Sequence, residues 1–386
     1  PAYAAMTPGA ALEPHTIERR ELGPDDVLID IKFSGICHSD IHQARNEWFE
    51  SIFPMVPGHE IAGIVREVGS AVTKFAPGDR AGVGVYVDTC MECENCKKGL
   101  ENYCFKGFVP AYNGLDYNGD PTYGGYSSAI VVKEHYVLRI PEGIELDAAA
   151  PLLCAGITVY APLRQFEAGP GKKVGIMGLG GLGHMGVKHA HAMGAEVTLI
   201  SHSPSKEDDA KRLGADHFLL LTDTKTMAEQ AMTFDLIVNT VSAPIDLGPV
   251  MNLLKTDGTM AYVGLPDKPL AVNVFSLNGQ RRNLTSSTVG GIPETQEMLD
   301  FCAEHGYAAD IEVIGADQIN DAWGACGQQR RPLPLRHRRL HLLIESPGFR
   351  GIRFASPGIT PALCVSPGFR GKRLWGVGVD VAQHAR

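Results

Sequence analysis

Four cysteines crowd into one short stretch, Cys90-x-x-Cys93-x-x-Cys96-x7-Cys104. Four thiolates on one loop suit a tetrahedral Zn²⁺ with no open position, a site that staples a loop and does no chemistry. Glu92, Glu94 and Lys97 lie between them and favour solvent. A disulfide cluster is the alternative; the lack of a secretory signal weighs against it. A second set is dispersed: Cys37, His59 followed by Glu60, and Cys154. Two thiolates and one imidazole, if they converge, leave a fourth position for water or substrate, as in a catalytic zinc. Spacing alone leaves that convergence open. Taken singly, Cys154 reads as a small buried hydrophobe.

The stretch from Lys173 to Lys206 carries the next chemistry. A short apolar strand, Val174–Met177, runs into Gly178-x-Gly180-x-x-Gly183, then a helix to about Met193 and a second strand, Val197–Ile200. This is the start of a dinucleotide-binding βαβ unit. Gly178 permits the tight turn, Gly180 lets the backbone approach a pyrophosphate, and Gly183 lets helix and strand pack closely. Gly181 and Leu182 belong to the same cofactor loop, at a helix N-terminus whose free N–H groups face phosphate. An NAD site places Asp or Glu at the end of the second strand. Here Ser201, Ser203 and Lys206 stand there, and Glu196 begins the strand instead. Hydroxyls and a cation suit a ribose 2′-phosphate, so NADP is expected over NAD. A solvated Ser/Pro loop is the competing reading.

The elements that must position these groups fall into two patterns. Up to about Val137 the chain reads as short strands and turns: Val27–Phe33, Glu60–Val68, Arg80–Val87 and Ser127–Val132, punctuated by Gly and Pro. A helix is expected over Ala148–Arg164. Then strands alternate with helices, with further strands at Phe218–Leu221, Leu236–Asn239 and Thr259–Val263, which implies a doubly wound parallel sheet. Gly290-Gly291 marks a return to the first domain, and Thr295–His305 reads as an amphipathic helix.

At 386 residues the chain has room for two domains. A formal charge of −9 argues against nucleic acid as the main partner. The charge is uneven: Gly324–Arg386 holds eleven Lys or Arg against two Asp or Glu. The N-terminal Pro-Ala-Tyr-Ala-Ala-Met-Thr-Pro reads as no signal peptide, and no apolar run is long enough to span a bilayer. A cytoplasmic protein with no membrane partner is expected.

Six motifs together carry a resemblance: GICHSD at 35–40, VPGHEIAGIV at 56–65, the four-cysteine loop, PTYGGY at 121–126, LLCAGITVY at 152–160 and GLGGLGHMGVK at 178–188. From near the N-terminus to about Trp323 the chain resembles the zinc-dependent medium-chain alcohol dehydrogenases, in their cinnamyl-alcohol-dehydrogenase-like branch. The resemblance implies an α/β protein: a GroES-like, mostly antiparallel β domain with a Rossmann domain. The divisions are 1–154, 155–288 and a return over 289–327. It implies two zinc ions per chain and NADP. It implies catalytic zinc on Cys37, His59 and Cys154, with Glu60 beside it as a transient ligand. Asp40 matches the carboxylate that fixes the ligating imidazole. Ser39 matches the hydroxyl beside the reacting oxygen, and His42 the outer end of a proton relay. Trp48 and Tyr86 fall where family members line the substrate pocket, although both also suit ordinary core positions. The implied reaction is reversible reduction of aromatic or medium-chain aldehydes to primary alcohols by hydride transfer, in a homodimer or homotetramer. An NAD-linked polyol or secondary-alcohol dehydrogenase is the alternative enzyme. A catalytically silent NADP-binding protein is the alternative of another class.

The chain departs from the family after Trp323. Gln328–Leu343 is built only of residue types whose codons begin with C. Reading the family's usual Ser-Asp-Val-Arg-Tyr-Arg-Phe-Val-Ile-Asp one nucleotide early, in a gene whose codons end in C, gives Gln329–Arg338 residue for residue. A frameshift near Trp323–Gly327 is therefore expected, with 328–386 a poorly ordered tail. One ordered piece, Leu340–Ile344, is expected to lean on the catalytic domain. Neither Arg330 nor Arg336 can be assumed to replace the family arginine that reaches the cofactor phosphate.

Overall fold

The computed structural model describes residues 1–266, 268–327 and 341–345, the last five and 325–327 by their backbone. One sheet is built around the long strand Asp26–Ile36. Its apolar residues Val27, Ile29 and Ile31 face inward at alternating positions, as a half-buried strand requires. Ile61–Val68 and Ala129–Lys133 pair antiparallel with it. Arg80–Val83 and then Leu138–Arg139 extend the sheet beyond Ile61–Val68. The expected strand Arg80–Val87 is two strands, Arg80–Val83 and Tyr86–Asp88. The second leaves the sheet to pair with Val109–Pro110, at the root of the cysteine loop.

The second sheet has six strands, all parallel, in the order His217–Leu220, Glu196–Ser201, Lys173–Met177, Phe234–Asn239, Leu254–Tyr262, Asn283–Ser286. The order reverses between Lys173–Met177 and Phe234–Asn239. That switch point opens a crevice at the carboxyl ends of the strands, beside Gly178. The edge strand Asn283–Ser286 went unread in the sequence because Asn-Leu-Thr-Ser has neither an apolar run nor a clean alternation.

The chain passes between the sheets twice. The first passage is not the single helix expected over Ala148–Arg164. A 3-10 turn, Ala150–Leu153, ends at Cys154, and a new helix, Ala155–Gln165, departs at 57° to the preceding segment. Cys154 sits at the break with φ −130° and ψ −70°, outside helical geometry. Both pieces are buried in a core shared by the two sheets. Among the described residues no single helix is long and apolar enough to cross a membrane. The second passage runs from Asn283–Ser286 through residues 288–291 into the helix Ile292–Glu304.

Most of 328–386 lies outside the described residues, and with it Arg330 and Arg336. The exception is the strand His341–Glu345, one residue on from the expected piece. It pairs antiparallel with Asp26–Ile36 and parallel with Ile311–Ile314, joining the latter to the sheet.

Candidate active site and metal centres

The four loop cysteines converge. Cys90 and Cys96 sulfurs are 3.9 Å apart, and Cys93–Cys96 and Cys104–Cys90 are each 3.4 Å apart. Tetrahedral thiolates at a Zn–S distance of about 2.3 Å lie about 3.8 Å from one another, so the set fits zinc. The loop folds this way because Met91 and Gly99 take left-handed backbone and a helical turn, Glu94–Lys97, intervenes.

The dispersed set converges as well. Ligand atoms of Cys37, His59, Glu60 and Cys154 all lie within 4.8 Å of one another. His59 Nε2 is 3.2 Å from Cys154 Sγ. Its other nitrogen, Nδ1, is 3.0 Å from Asp40 Oδ1. A proton held at Nδ1 by the Asp40 carboxylate leaves the Nε2 lone pair for a metal. Asp40 is fully buried, and both its oxygens are used. Oδ1 also accepts from Gly58 N at 3.1 Å, and Oδ2 accepts from Cys37 N at 2.9 Å and Tyr126 Oη at 3.2 Å. This one carboxylate therefore orients His59 and pins the backbone of Cys37. Glu60 fits over Gly35, where a Cβ would stand 1.7 Å from Glu60 Oε2.

Electrostatics in this cluster fit a cation. Its hydrogen bond with Cys154 and the nearby His59 hold the Cys37 thiol well below the usual thiol range, against burial. That same contact, with burial, pushes Cys154 well above it. Burial disfavours protonated His59, but Asp40 and Cys37 outweigh it and raise its pKa well above the ordinary value. A divalent ion bound there would draw both sulfurs as thiolates and keep His59 neutral.

Ser39 and His42 share the helix His38–Ala44, three residues apart and hence on one face. Ser39 Oγ is 3.5 Å from Cys37 Sγ. His42 Nδ1 is 2.5 Å from Glu47 Oε2, and its ring stacks on Trp48 with centroids 4.8 Å apart. Trp48 therefore stands beside the His42 end of the site. Tyr86 is buried; its hydroxyl donates to Gly290 O at 3.0 Å, and it lines one small cavity with Leu153 and Ile157, close to Cys154 in sequence. Sequence reasoning did not single out Glu47, Tyr112, whose ring stacks on His59, or Tyr126. Tyr126 ends the quoted PTYGGY motif, the one available signal.

The glycine loop has the expected form. Gly178 has φ +91°, and a Cβ on Gly183 would stand 2.0 Å from Gly178 O. A Cβ on Gly180 would meet nothing within 4 Å, so the demand for glycine there comes from space left open in front of the helix Gly181–Ala192. Leu182 packs on the core below. Ser201 ends its strand, and its Oγ accepts from Ser203 N at 3.1 Å. Ser203 Oγ lies 2.9 Å from Ser205 Oγ. Lys206 is buried beneath this turn rather than splayed into solvent. Glu196 sits at the far end of the strand, paired with Lys173 and His217.

Residues 23–142 match the family described as alcohol dehydrogenase GroES-like domain, and residues 181–304 match the zinc-binding dehydrogenase family. An NADP-dependent alcohol dehydrogenase C of Mycolicibacterium smegmatis is 59% identical over 323 residues, 83% of this chain and 93% of that protein. The chain belongs to the zinc-dependent medium-chain alcohol dehydrogenases. An aldehyde reductase of Escherichia coli is 56% identical over 326 residues, covering 83% of this chain and 92% of its own. Among solved structures, a cinnamyl alcohol dehydrogenase of Sorghum bicolor superposes with TM-score 0.85 at 43% identity, over 92% of this chain and 99% of that one. A Helicobacter pylori cinnamyl alcohol dehydrogenase complexed with NADP(H) gives 0.82 at 40%, over 90% and 98%. Two histidines of the helix Gly181–Ala192 pack inside this alcohol dehydrogenase: His184 and His189 are fully buried. Burial lowers the His189 pKa to about 3, so this imidazole stays neutral against Tyr307 Oη, 2.6 Å from Nδ1.

Proposed function

We propose that this alcohol dehydrogenase reduces aromatic and medium-chain aldehydes to primary alcohols with NADPH, and runs in reverse with NADP. The supporting observation is the buried Cys37–His59–Cys154 cluster, with Ser39 beside it. The ligands assigned to the catalytic ion are Cys37, His59 and Cys154, with Glu60 as a transient fourth. Zinc bound there supplies Lewis acidity to the substrate oxygen. Asp40 keeps His59 in the ligating tautomer. Ser39 Oγ hands a proton to or from that oxygen, and His42, held by Glu47, exchanges it with solvent. Gly178, Gly180, Gly181, Leu182 and Gly183 form the pyrophosphate cradle. Ser201 and Ser203, with Lys206 beneath them, take the 2′-phosphate end. Trp48 forms an aromatic wall by the relay. Closing the two domains on substrate excludes water and sets the hydride distance. The second ion belongs to Cys90, Cys93, Cys96 and Cys104.

The assembly we propose is a homodimer or homotetramer in the cytoplasm. Val274 and Phe275 are 68% and 82% exposed just before the edge strand Asn283–Ser286, with Leu265 at 56%. Such an apolar edge is what a second copy covers. Purified protein assayed with NADPH against an aldehyde panel tests the reading. Turnover of cinnamaldehyde- or benzaldehyde-like substrates is expected, with kcat/KM higher for NADPH than for NADH. Turnover with neither cofactor, or a preference for polyols with NAD, would reject it. Light scattering on the same sample should give at least twice the chain mass, and a monomer would remove the assembly.

A further inference from the structure

The cysteine loop does more than close on itself, because it grips the second passage between the domains. Four side chains reach residues 288–292 from that lobe and its root. Asn102 Nδ2 donates to Thr288 O at 2.7 Å, and Thr288 N donates to Tyr103 Oη at 3.1 Å. Tyr86 Oη donates to Gly290 O, and Ile292 N donates to Glu101 Oε2 at 3.1 Å. Glu101 is buried to 1% exposure, and its other oxygen is 2.9 Å from His135 Nε2. The approach is backbone to backbone: a Cβ on Gly291 would stand 1.8 Å from Gly99 O. Within this grip Val289 holds φ +41°, a conformation that a β-branched residue keeps only where its neighbours over-determine it.

The gripped segment touches the active-site side. A Cβ on Gly290 would stand 2.6 Å from Ile157 Cδ1, three residues after Cys154. Val289 and Gly290 line one small cavity with Leu153, just before Cys154, and Ile157, one helical turn after it. The two passages between the domains therefore meet, and one of them carries the assigned zinc ligand. We propose that Glu101 is a positioning residue for the hydride-transfer reaction. Through Ile292 and Val289–Gly290 it couples the cysteine lobe to the helix start at Cys154, and so sets how the two domains meet. The proposal rests on the reading of Cys154 as a ligand.

Glu101→Ala, Glu101→Gln and Tyr103→Phe test it, with kcat, KM, zinc content and amide hydrogen exchange read on each holoenzyme. Losing one such hydrogen bond is expected to lower kcat about threefold in Tyr103→Phe and about tenfold in Glu101→Ala, with little change in aldehyde KM. Zinc content stays at the wild-type value, and exchange at Ile292 rises about tenfold in Glu101→Ala. Gln keeps an acceptor for Ile292 N, and its amide N–H donates to His135 Nε2 once that ring carries its proton on Nδ1, so Glu101→Gln should recover kcat to within about twofold. Wild-type kcat in Glu101→Ala, a loss that only tracks zinc lost from the lobe, or no rescue by Gln would each overturn the proposal. If Glu101→Ala does not fold, Tyr103→Phe decides alone, since Tyr103 is exposed: unchanged kcat and unchanged exchange at Thr288 would overturn it. Exchange at Ile292 reads the clamp without any reference to Cys154. A Cys154→Ser chain with full turnover would refute the ligand reading instead.

Discussion

Cys154→Ser is expected to carry one zinc per chain instead of two and to lose turnover by more than about a thousandfold. Removing an outer partner of a metal ligand costs roughly 10- to 100-fold, and removing a ligand itself exceeds that. Serine keeps the volume but offers a hydroxyl that does not ionise near neutral pH, whereas the thiol at 154 already lies 3.2 Å from His59 Nε2. The fold should survive. Cys154 stands at a helix break that serine tolerates, and the four lobe cysteines lie on a different loop. Cys93→Ser gives the opposite pattern. The lobe loses a ligand, metal binding there is part of folding free energy, and thermal stability falls first. Metal analysis, thermal melts and turnover on both variants separate the two sites. Two zinc ions retained in Cys154→Ser, or turnover preserved, would remove Cys154 from the catalytic set.

Much of this site was legible because its chemistry is local in sequence. The four-cysteine loop and the glycine turn each declare a geometry within about fifteen residues, and both have the geometry expected. The dispersed ligands were different. Nothing in the spacing of Cys37, His59 and Cys154 brings them together; only the resemblance did, and the folded chain places their ligand atoms within 4.8 Å. What the sequence hid has a common cause. The break at Cys154 lies inside a uniformly apolar run, Ala148–Leu163, where periodicity has no polar face to reveal a bend. Tyr86 is an aromatic in an apolar strand, and pattern cannot tell a pocket wall from a buried anchor whose hydroxyl reaches residue 290. The grip of Glu101, Asn102 and Tyr103 on residues 288–292 spans about 190 positions, and polar contacts at that separation leave no local trace. The strand His341–Glu345 was anticipated to within one residue because Leu342-Leu343-Ile344 is an apolar run close after Trp323 in a Pro-, Gly- and Arg-rich stretch.

Ser201→Asp should lower the ratio of kcat/KM for NADPH over NADH by about 100-fold. Ser201 ends the second strand of the parallel sheet, where a dinucleotide's adenosine ribose is read. Its Oγ already accepts from Ser203 N, so a carboxylate placed there would inherit that donor and stay fixed rather than swing into solvent. A 2′-phosphate carries nearly two negative charges. At about 5 Å, with an effective dielectric between about 40 and 80, repulsion from one carboxylate is ~2–3 kcal/mol. That converts to about 30- to 150-fold in kcat/KM for NADPH. For NADH the carboxylate accepts from the ribose hydroxyls instead, so its kcat/KM should rise severalfold. Ser201 is buried, so the new carboxylate should also lower thermal stability, most of all without cofactor. Steady-state kinetics with both cofactors on both proteins decide the matter. A wild type that prefers NADH, or a ratio unmoved by Ser201→Asp, would show that this strand end does not read the phosphate.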